Sequence, residues 1–217
     1  MKKILTALTL LVLLCGCKRK STDEGSIIYQ VEYQLPDSLK QFAMYLPKEA
    51  TVYFKGDSTV SIQKSNEEST TIITDKKTGF MRALLKSPAK QYVVDYSKAE
   101  QSLETGHLQP HTIAQQKDTK TIAGFKAVKY LVKDKLSGET TEMWFTKDIS
   151  IIPNSLTLML DPALGVPLEF TINQNGVKTK TTVKEVRFEP VPASIFATPT
   201  GFVPLTPQQL REMPVGN

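Results

Sequence analysis

Cysteine, tryptophan and histidine are scarce: among 217 residues there are two Cys, one Trp and two His. Cys15 and Cys17 both precede residue 18, so nothing downstream can build a disulfide framework or a thiolate metal site. His107 and His111 have the spacing that would put two ligands on one helix face, but Pro110 between them breaks such a helix, and no metal site is expected. Long apolar runs are missing after residue 14, which excludes a polytopic membrane protein, since each span needs about 17 to 25 apolar residues. An excess of one charge is missing too. The net charge of +5 falls to +3 once Lys2 and Lys3 are cleaved away, too little to imply a polyanionic partner. Glycine-rich phosphate loops and the G-x-S-x-G elbow are absent, so no cofactor is expected. With 40% hydrophobic and 23% charged residues, the composition is that of a globular chain rather than a disordered one.

What is present begins at the N-terminus. Lys2 and Lys3 precede residues 4–14, apolar except for Thr6 and Thr9, which is a charged n-region followed by an h-region of secretory length. Leu14-Cys15-Gly16-Cys17 then resembles the bacterial lipobox, an aliphatic residue and two small ones before the cysteine that is acylated and becomes the new N-terminus. Cys15 does not suit that role, because bulky Leu14 stands directly before it. The expected organisation is a signal peptide over residues 1–16, lipidated Cys17 with a flexible tether to residue 25, and one domain over 26–217. Several acyl chains, each methylene contributing about 0.8 kcal/mol, anchor stably where one chain is marginal. Lys18 is not the aspartate associated with inner-membrane retention, so the expected location is the outer membrane, facing the periplasm. An exported chain has no access to nucleic acid.

The mature chain reads as a series of strands. Ile27, Tyr29, Val31, Tyr33 and Leu35 alternate with mostly polar neighbours, the pattern of a half-buried strand. Leu39, Phe42, Ala43 and Leu46 recur at helical spacing between Pro36 and Pro47, predicting a short amphipathic helix over 38–46. Further strands are expected at 51–55, 59–64, 69–74, 80–85 and 91–96. After a short helix at 97–104 capped by Ser97, strands resume at 112–116, 119–123, 126–133, 139–146, 168–173 and 177–188. Asn175-Gly176 is a strong hairpin signal, and Thr206 with Pro207 opens a last short helix. The expected fold class is mainly β, formally α+β: one curved antiparallel sheet through both halves, with short helices and the apolar stretch 151–166 covering its concave face.

Motifs for catalysis are weak. Ser61 with Lys64 and Ser87 with Lys90 both read S-x-x-K, and Lys77-Thr78-Gly79 reads K-T-G, as in penicillin-recognising enzymes. Such spacings arise by chance in a chain rich in Ser and Lys, and Ser61 lies in a strand pattern where that family opens a helix. No enzyme activity is expected. Two features favour binding instead. One is the apolar, Met-containing stretch Leu156, Leu158, Met159, Leu160, Leu164 and Val166, broken by Pro162 and Gly165, which could form a mobile cover over a cavity. The other is the aromatic content of the strand faces, Tyr29, Tyr33, Phe54, Tyr92, Tyr96, Tyr130, Phe145, Phe170 and Phe188, which core packing alone also explains.

Five tracts carry a family resemblance. They are Gly25-Ser26-Ile27-Ile28-Tyr29, Ile122-Ala123-Gly124-Phe125-Lys126, the stretch from Met143-Trp144-Phe145 to Ile149, Gly165-Val166-Pro167-Leu168-Glu169-Phe170, and Phe196 with Pro199-Thr200-Gly201-Phe202. In these the chain resembles bacterial envelope lipoproteins with a domain of unknown function, related to the GLPGLI family and sharing the fold of the lipoprotein-localisation factors LolA and LolB. The resemblance implies a half-open antiparallel barrel whose concave face holds acyl chains, and it brings no catalytic residues. The expected function is a non-enzymatic, membrane-anchored lipoprotein binding a hydrophobic or acylated ligand. The alternative is a structural or interaction protein of the envelope, with a filled core and a protein partner. Replacing Cys17 by Ser is expected to abolish incorporation of labelled palmitate and to release the chain from the membrane fraction, whereas Cys15→Ser leaves both unchanged.

Overall fold

The computed structural model describes residues 23–66, 68–105, 111–174 and 176–213. Alternation along the first strand sets the architecture: in β1 (Glu24–Gln34), Ile27, Tyr29 and Val31 are buried while Gln30 and Glu32 are exposed. From β1 the chain runs as a meander through β2 (Glu49–Lys55), β3 (Ser58–Ser65), β4 (Glu68–Asp75), β5 (Phe80–Lys86) and β6 (Gln91–Tyr96). Helix α1 (Lys98–Thr105) follows, its first turn closed by a bond from the Glu100 amide to Ser97 Oγ and another from the Ser97 amide to the Glu100 carboxylate. A second meander comprises β7 (His111–Ile122), β8 (Phe125–Asp134), β9 (Thr140–Thr146), β10 (Val166–Gln174) and β11 (Val177–Arg187). The chain ends with β12 (Val203–Leu205) and α2 (Pro207–Glu212), which Thr206 caps through a full capping box.

All twelve strands form one open, curved sheet in the order β12-β6-β5-β4-β3-β2-β1-β11-β10-β9-β8-β7. The two meanders meet where β1 pairs antiparallel with β11, so one sheet runs through both halves as expected. Three details differ from the sequence reading. Residues 112–116 and 119–122 belong to the single strand β7, with Ala123 already in the turn to β8, and the register against β8 shifts between Gln115 and Thr119; the bulge interrupts the alternation that marks a strand. Strand β12, three residues containing Pro204, is too short to show periodicity, and its pairing with β6 is parallel. Residues Asp37–Tyr45 form a 3-10 helix that buries no residue, rather than an amphipathic cover. In 3-10 geometry side chains at i and i+3 eclipse, so the i, i+4 stripe does not gather into one face.

The covers therefore come from irregular segments, and they lie on both faces. The face carrying Ile27, Tyr29 and Val31, here the inner face, joins Val52, Phe54, Tyr130, Phe145, Leu168 and Phe170 into the main core, against which Ile149, Ile151, Leu156, Leu160 and Leu164 pack. Across β3 the apolar side inverts: Val52 opposes Ser61, so Val60 points outward with Ile73 and Leu84, and there Ile195, Phe196 and Phe202 cover it. Polar ties hold that tail down. Glu24 accepts from the Val191 amide at 3.2 Å and pairs with Lys55 at 2.6 Å, while Arg82, in a fork with Asp95, also donates to Thr198 Oγ1 at 2.6 Å. Among the described residues no helix is long and apolar enough to cross a membrane.

Gly165 closes the inner cover onto the sheet. Its φ is +109°, and a Cβ there would stand 2.2 Å from the Thr146 carbonyl oxygen. Gly165→Ala is expected to lower stability by about 3 kcal/mol or more in urea unfolding, because backbone strain adds to a clash with a buried strand end. Gly176→Ala, at φ +81° with open space around it, costs only the left-handed strain of about 1 to 2 kcal/mol.

Candidate functional site

Register places the inner-face side chains of β7 to β9 in rows. Ile113 opposes Val132, which opposes Thr141; Tyr130 opposes Met143, and Val128 opposes Phe145. Tyr130 and Phe145 meet edge to face with ring centroids 5.4 Å apart, which fixes the floor. Over it runs the segment from residue 147 to Gly165. It leaves β9 with the Asp148 carboxylate accepting from the Lys126 amide at 3.0 Å, and it is pinned midway at Asn154, only 2% exposed.

That pin is a small polar network. The Asn154 amide donates to Thr157 Oγ1 at 2.9 Å, Asn154 Oδ1 accepts from the Leu156 amide at 3.0 Å, and Asn154 Nδ2 donates to the Tyr29 hydroxyl at 3.3 Å. Tyr29 is fully buried, and that desolvation pushes its phenol up to about 12. Beyond Asn154 the segment passes the end of β10, where Gln174 donates to Met159 Sδ at 3.3 Å, and then turns at Asp161, whose Oδ1 accepts from the Ala163 amide at 2.9 Å.

A cleft of about 440 Å³ lies between this segment and the inner face of β7 to β10. Its walls are Ile113, Val132, Met143, Phe145, Leu160, Leu164 and Ile172; its rim carries His111, Asp134, Ser137, Glu139, Asp161 and Gln174. The size lies within the range of small-molecule sites, and the lining mixes apolar and polar residues about equally, with Thr141, Thr171 and Asn173 adding polar groups to those of the rim. Asp134 is held below the usual carboxylate range by hydrogen bonds from the amides of Ser137 at 2.8 Å and Leu136 at 2.7 Å. Glu139 pairs with Lys178 at 2.5 Å. A second hollow of about 100 Å³ sits beside it, lined by Tyr29, Asn154, Thr157 and Val166 among others.

Of the cover residues singled out by sequence, Met159, Leu160 and Leu164 line the cleft, and Leu160 and Val166 line the small hollow. Leu156 packs against the main core, and Leu158 is at the surface, 37% exposed. Cys17 and His107 lie outside the described residues. Among the strand aromatics only Phe145 lines the cleft. Sequence weighs His111 only as a partner of His107 for a metal and does not single out Asp134 or Glu139, because these rim residues gather only when the start of β7, the end of β8 and the approach to β9 meet at one sheet end. Among the described residues no group of three or more His, Cys, Asp and Glu is placed to hold a metal.

The S-x-x-K motifs are spent on structure. Ser61 and Lys64 are three apart on a strand, which directs them to opposite faces. Ser87 and Lys90 close the β5–β6 turn, and Thr78 of the K-T-G run bonds to Asp75 in the β4–β5 turn.

No family model matches the chain, and no curated protein sequence does. Solved structures do. PNGF-II, in C2 and P21 crystal forms, matches with TM-scores of 0.52 and 0.53 at 13% identity over 87% of this chain. The likeness is one of fold. The chain spans about a third of the length of PNGF-II, the matches covering 31% and 33% of it. LprF from Mycobacterium bovis aligns over 83% of this chain and 91% of its own, at 14% identity and a TM-score of 0.32.

The Asn154 pin can be tested directly. Tyr29→Phe leaves the Asn154 amide nitrogen buried without its acceptor and is expected to cost about 1 to 3 kcal/mol. Asn154→Ala is expected to cost at least as much and to raise amide hydrogen exchange selectively over residues 155–164. Because the unfolded phenol ionises near pH 10 and the native one only at about 12, wild-type stability is expected to fall through that window, and Tyr29→Phe to remove that part of the loss.

Proposed function

We infer that this protein is a bacterial envelope lipoprotein, anchored through Cys17 in the outer membrane and facing the periplasm, that binds a hydrophobic or acylated ligand without chemically changing it. The observation that carries the reading is the 440 Å³ cleft, with Val132, Met143, Phe145 and Ile172 along its walls and polar groups gathered at its rim, beneath a segment fixed at Asn154 and Gly165. The lipobox-like Leu14-Cys15-Gly16-Cys17 supports the anchor, and the open sheet with a partly covered inner face supports a LolA-like half-barrel. Burial of a chain against Val132, Met143, Phe145 and Ile172 supplies affinity at about 0.8 kcal/mol per methylene.

A second reading has its own support. Phe42, Met44 and Tyr45 on the 3-10 helix are 49%, 67% and 56% exposed, an apolar surface suited to a protein partner in the envelope.

Photocrosslinking in cells separates the two. A benzophenone residue in place of Ile172 or Leu164 is expected to yield an adduct with an apolar small molecule, identified by mass spectrometry, while one at the outer-face position Lys133 yields none. Absence of any such adduct from both cleft positions, together with protein adducts from Phe42 or Met44, would replace ligand binding with the interaction role.

A further inference from the structure

The lining of the cleft narrows the ligand class, on the footing of the binding reading above. The geometry points to a ligand with one acyl chain and an uncharged or cationic head, its tail lying beneath residues 159–164 and its head at the rim.

Volume limits the number of chains. At about 440 Å³ the cleft lies toward the low end of the roughly 300–1,000 Å³ spanned by ligand pockets, a size that suits the body of one chain better than two. The neighbouring hollow offers no berth for a second. It shares Leu160 and Asp161 with the cleft, but at about 100 Å³ it falls well below the size of a small-molecule pocket.

Charge limits the head. The lining includes three carboxylates, Asp134, Glu139 and Asp161, against one histidine, His111, and neither Lys nor Arg. Each carboxylate is fixed in place: Asp134 by the amides of Leu136 and Ser137, Asp161 by the amide of Ala163, and Glu139 by Lys178. Lys178, the cation that reaches this rim from β11, is thus already engaged. An anionic head would sit among like charges and would compete with Glu139 for Lys178. A hydroxyl or an ammonium group instead finds acceptors held in position.

The test uses the full-length protein in lipid nanodiscs and tritiated fourteen-carbon probes, with uptake measured over empty nanodiscs. The probes are monomyristoylglycerol, N-myristoyl-1,2-diaminoethane, whose free amine is an ammonium at neutral pH, myristate and dimyristoyl phosphatidylcholine. The first two are expected to saturate at one per protein, with Kd at least tenfold below that of myristate, and the two-chain lipid to show no saturable uptake. Glu139→Gln, which releases Lys178, is expected to narrow the gap between monomyristoylglycerol and myristate to threefold or less, with the thermal midpoint monitored to show that the sheet is intact. Equal binding of myristate by the wild type, or one dimyristoyl phosphatidylcholine bound per protein, overturns the single-chain, non-anionic assignment while leaving the cleft a binding site. Uptake of none of the four probes overturns the binding reading itself.

Discussion

Strand β1 is the element on which everything else rests. It pairs with β2 on one side and with β11 on the other, so Tyr29 lies opposite both Ala50 and Val183. Without the β1–β11 ladder the two meanders would each expose an edge, and the main core, which draws on β1 and β2 as well as β8 to β11, would be cut through. The same residue that sits at this junction also holds the cover, because the Tyr29 hydroxyl is the acceptor for Asn154. A phenol fully removed from water tolerates that position only with a partner, so the seating of the cover and the satisfaction of the core are one interaction.

From that anchoring the cleft follows. The cover is fixed at Asn154 and again at Gly165, where the backbone passes so close to Thr146 that only glycine fits. Strands β7 to β10 extend beyond this attachment, and their inner faces stay lined with Ile113, Val132 and Ile172 after the cover has turned away at Asp161. An apolar wall without a full lid is thus a consequence of where the segment is tied rather than of any looseness in it. On the other side of the sheet the C-terminal tail performs the matching task for β3 to β5, tied by Glu24, Lys55 and Arg82. These ties are charge-assisted but partly solvated, so they direct the path of the tail more than they stabilise it.

Much of the fold was legible along the chain. The alternation of β1, the turn chemistry at Gly138 and Gly176, the capping box at Thr206 and the Ser97 cap are local features, and local sterics and hydrogen bonding produce them wherever they occur. The 3-10 segment at 37–45 was misread because helical spacing of apolar residues predicts a helix only when another surface waits to receive that stripe, and here Phe42, Met44 and Tyr45 meet none. The inversion of the apolar face at β3 was visible as Val60 and Ile62 alternating with Ser61, but which face is inner depends on the register against β2. In the site, Met159, Leu160 and Leu164 could be singled out as an apolar, proline-broken stretch. The rim could not, since His111, Asp134, Glu139 and Asp161 look like ordinary surface residues until four separate segments converge.

The sequence by itself determined most of the strands, where they turn and which side of each is apolar, because those properties depend on neighbours within a few residues; the short β12 and the bulge that joins β7 into one strand were outside its reach. Pairing order, the choice of covers and the existence of the cleft were decided only by tertiary structure. Tyr29 meets Asn154 across more than a hundred residues, and nothing in the local pattern of either segment encodes that distance. Long-range hydrogen bonds and shared burial select one arrangement among many that the same alternating strands would permit, and the cleft is the space that this one arrangement leaves unfilled.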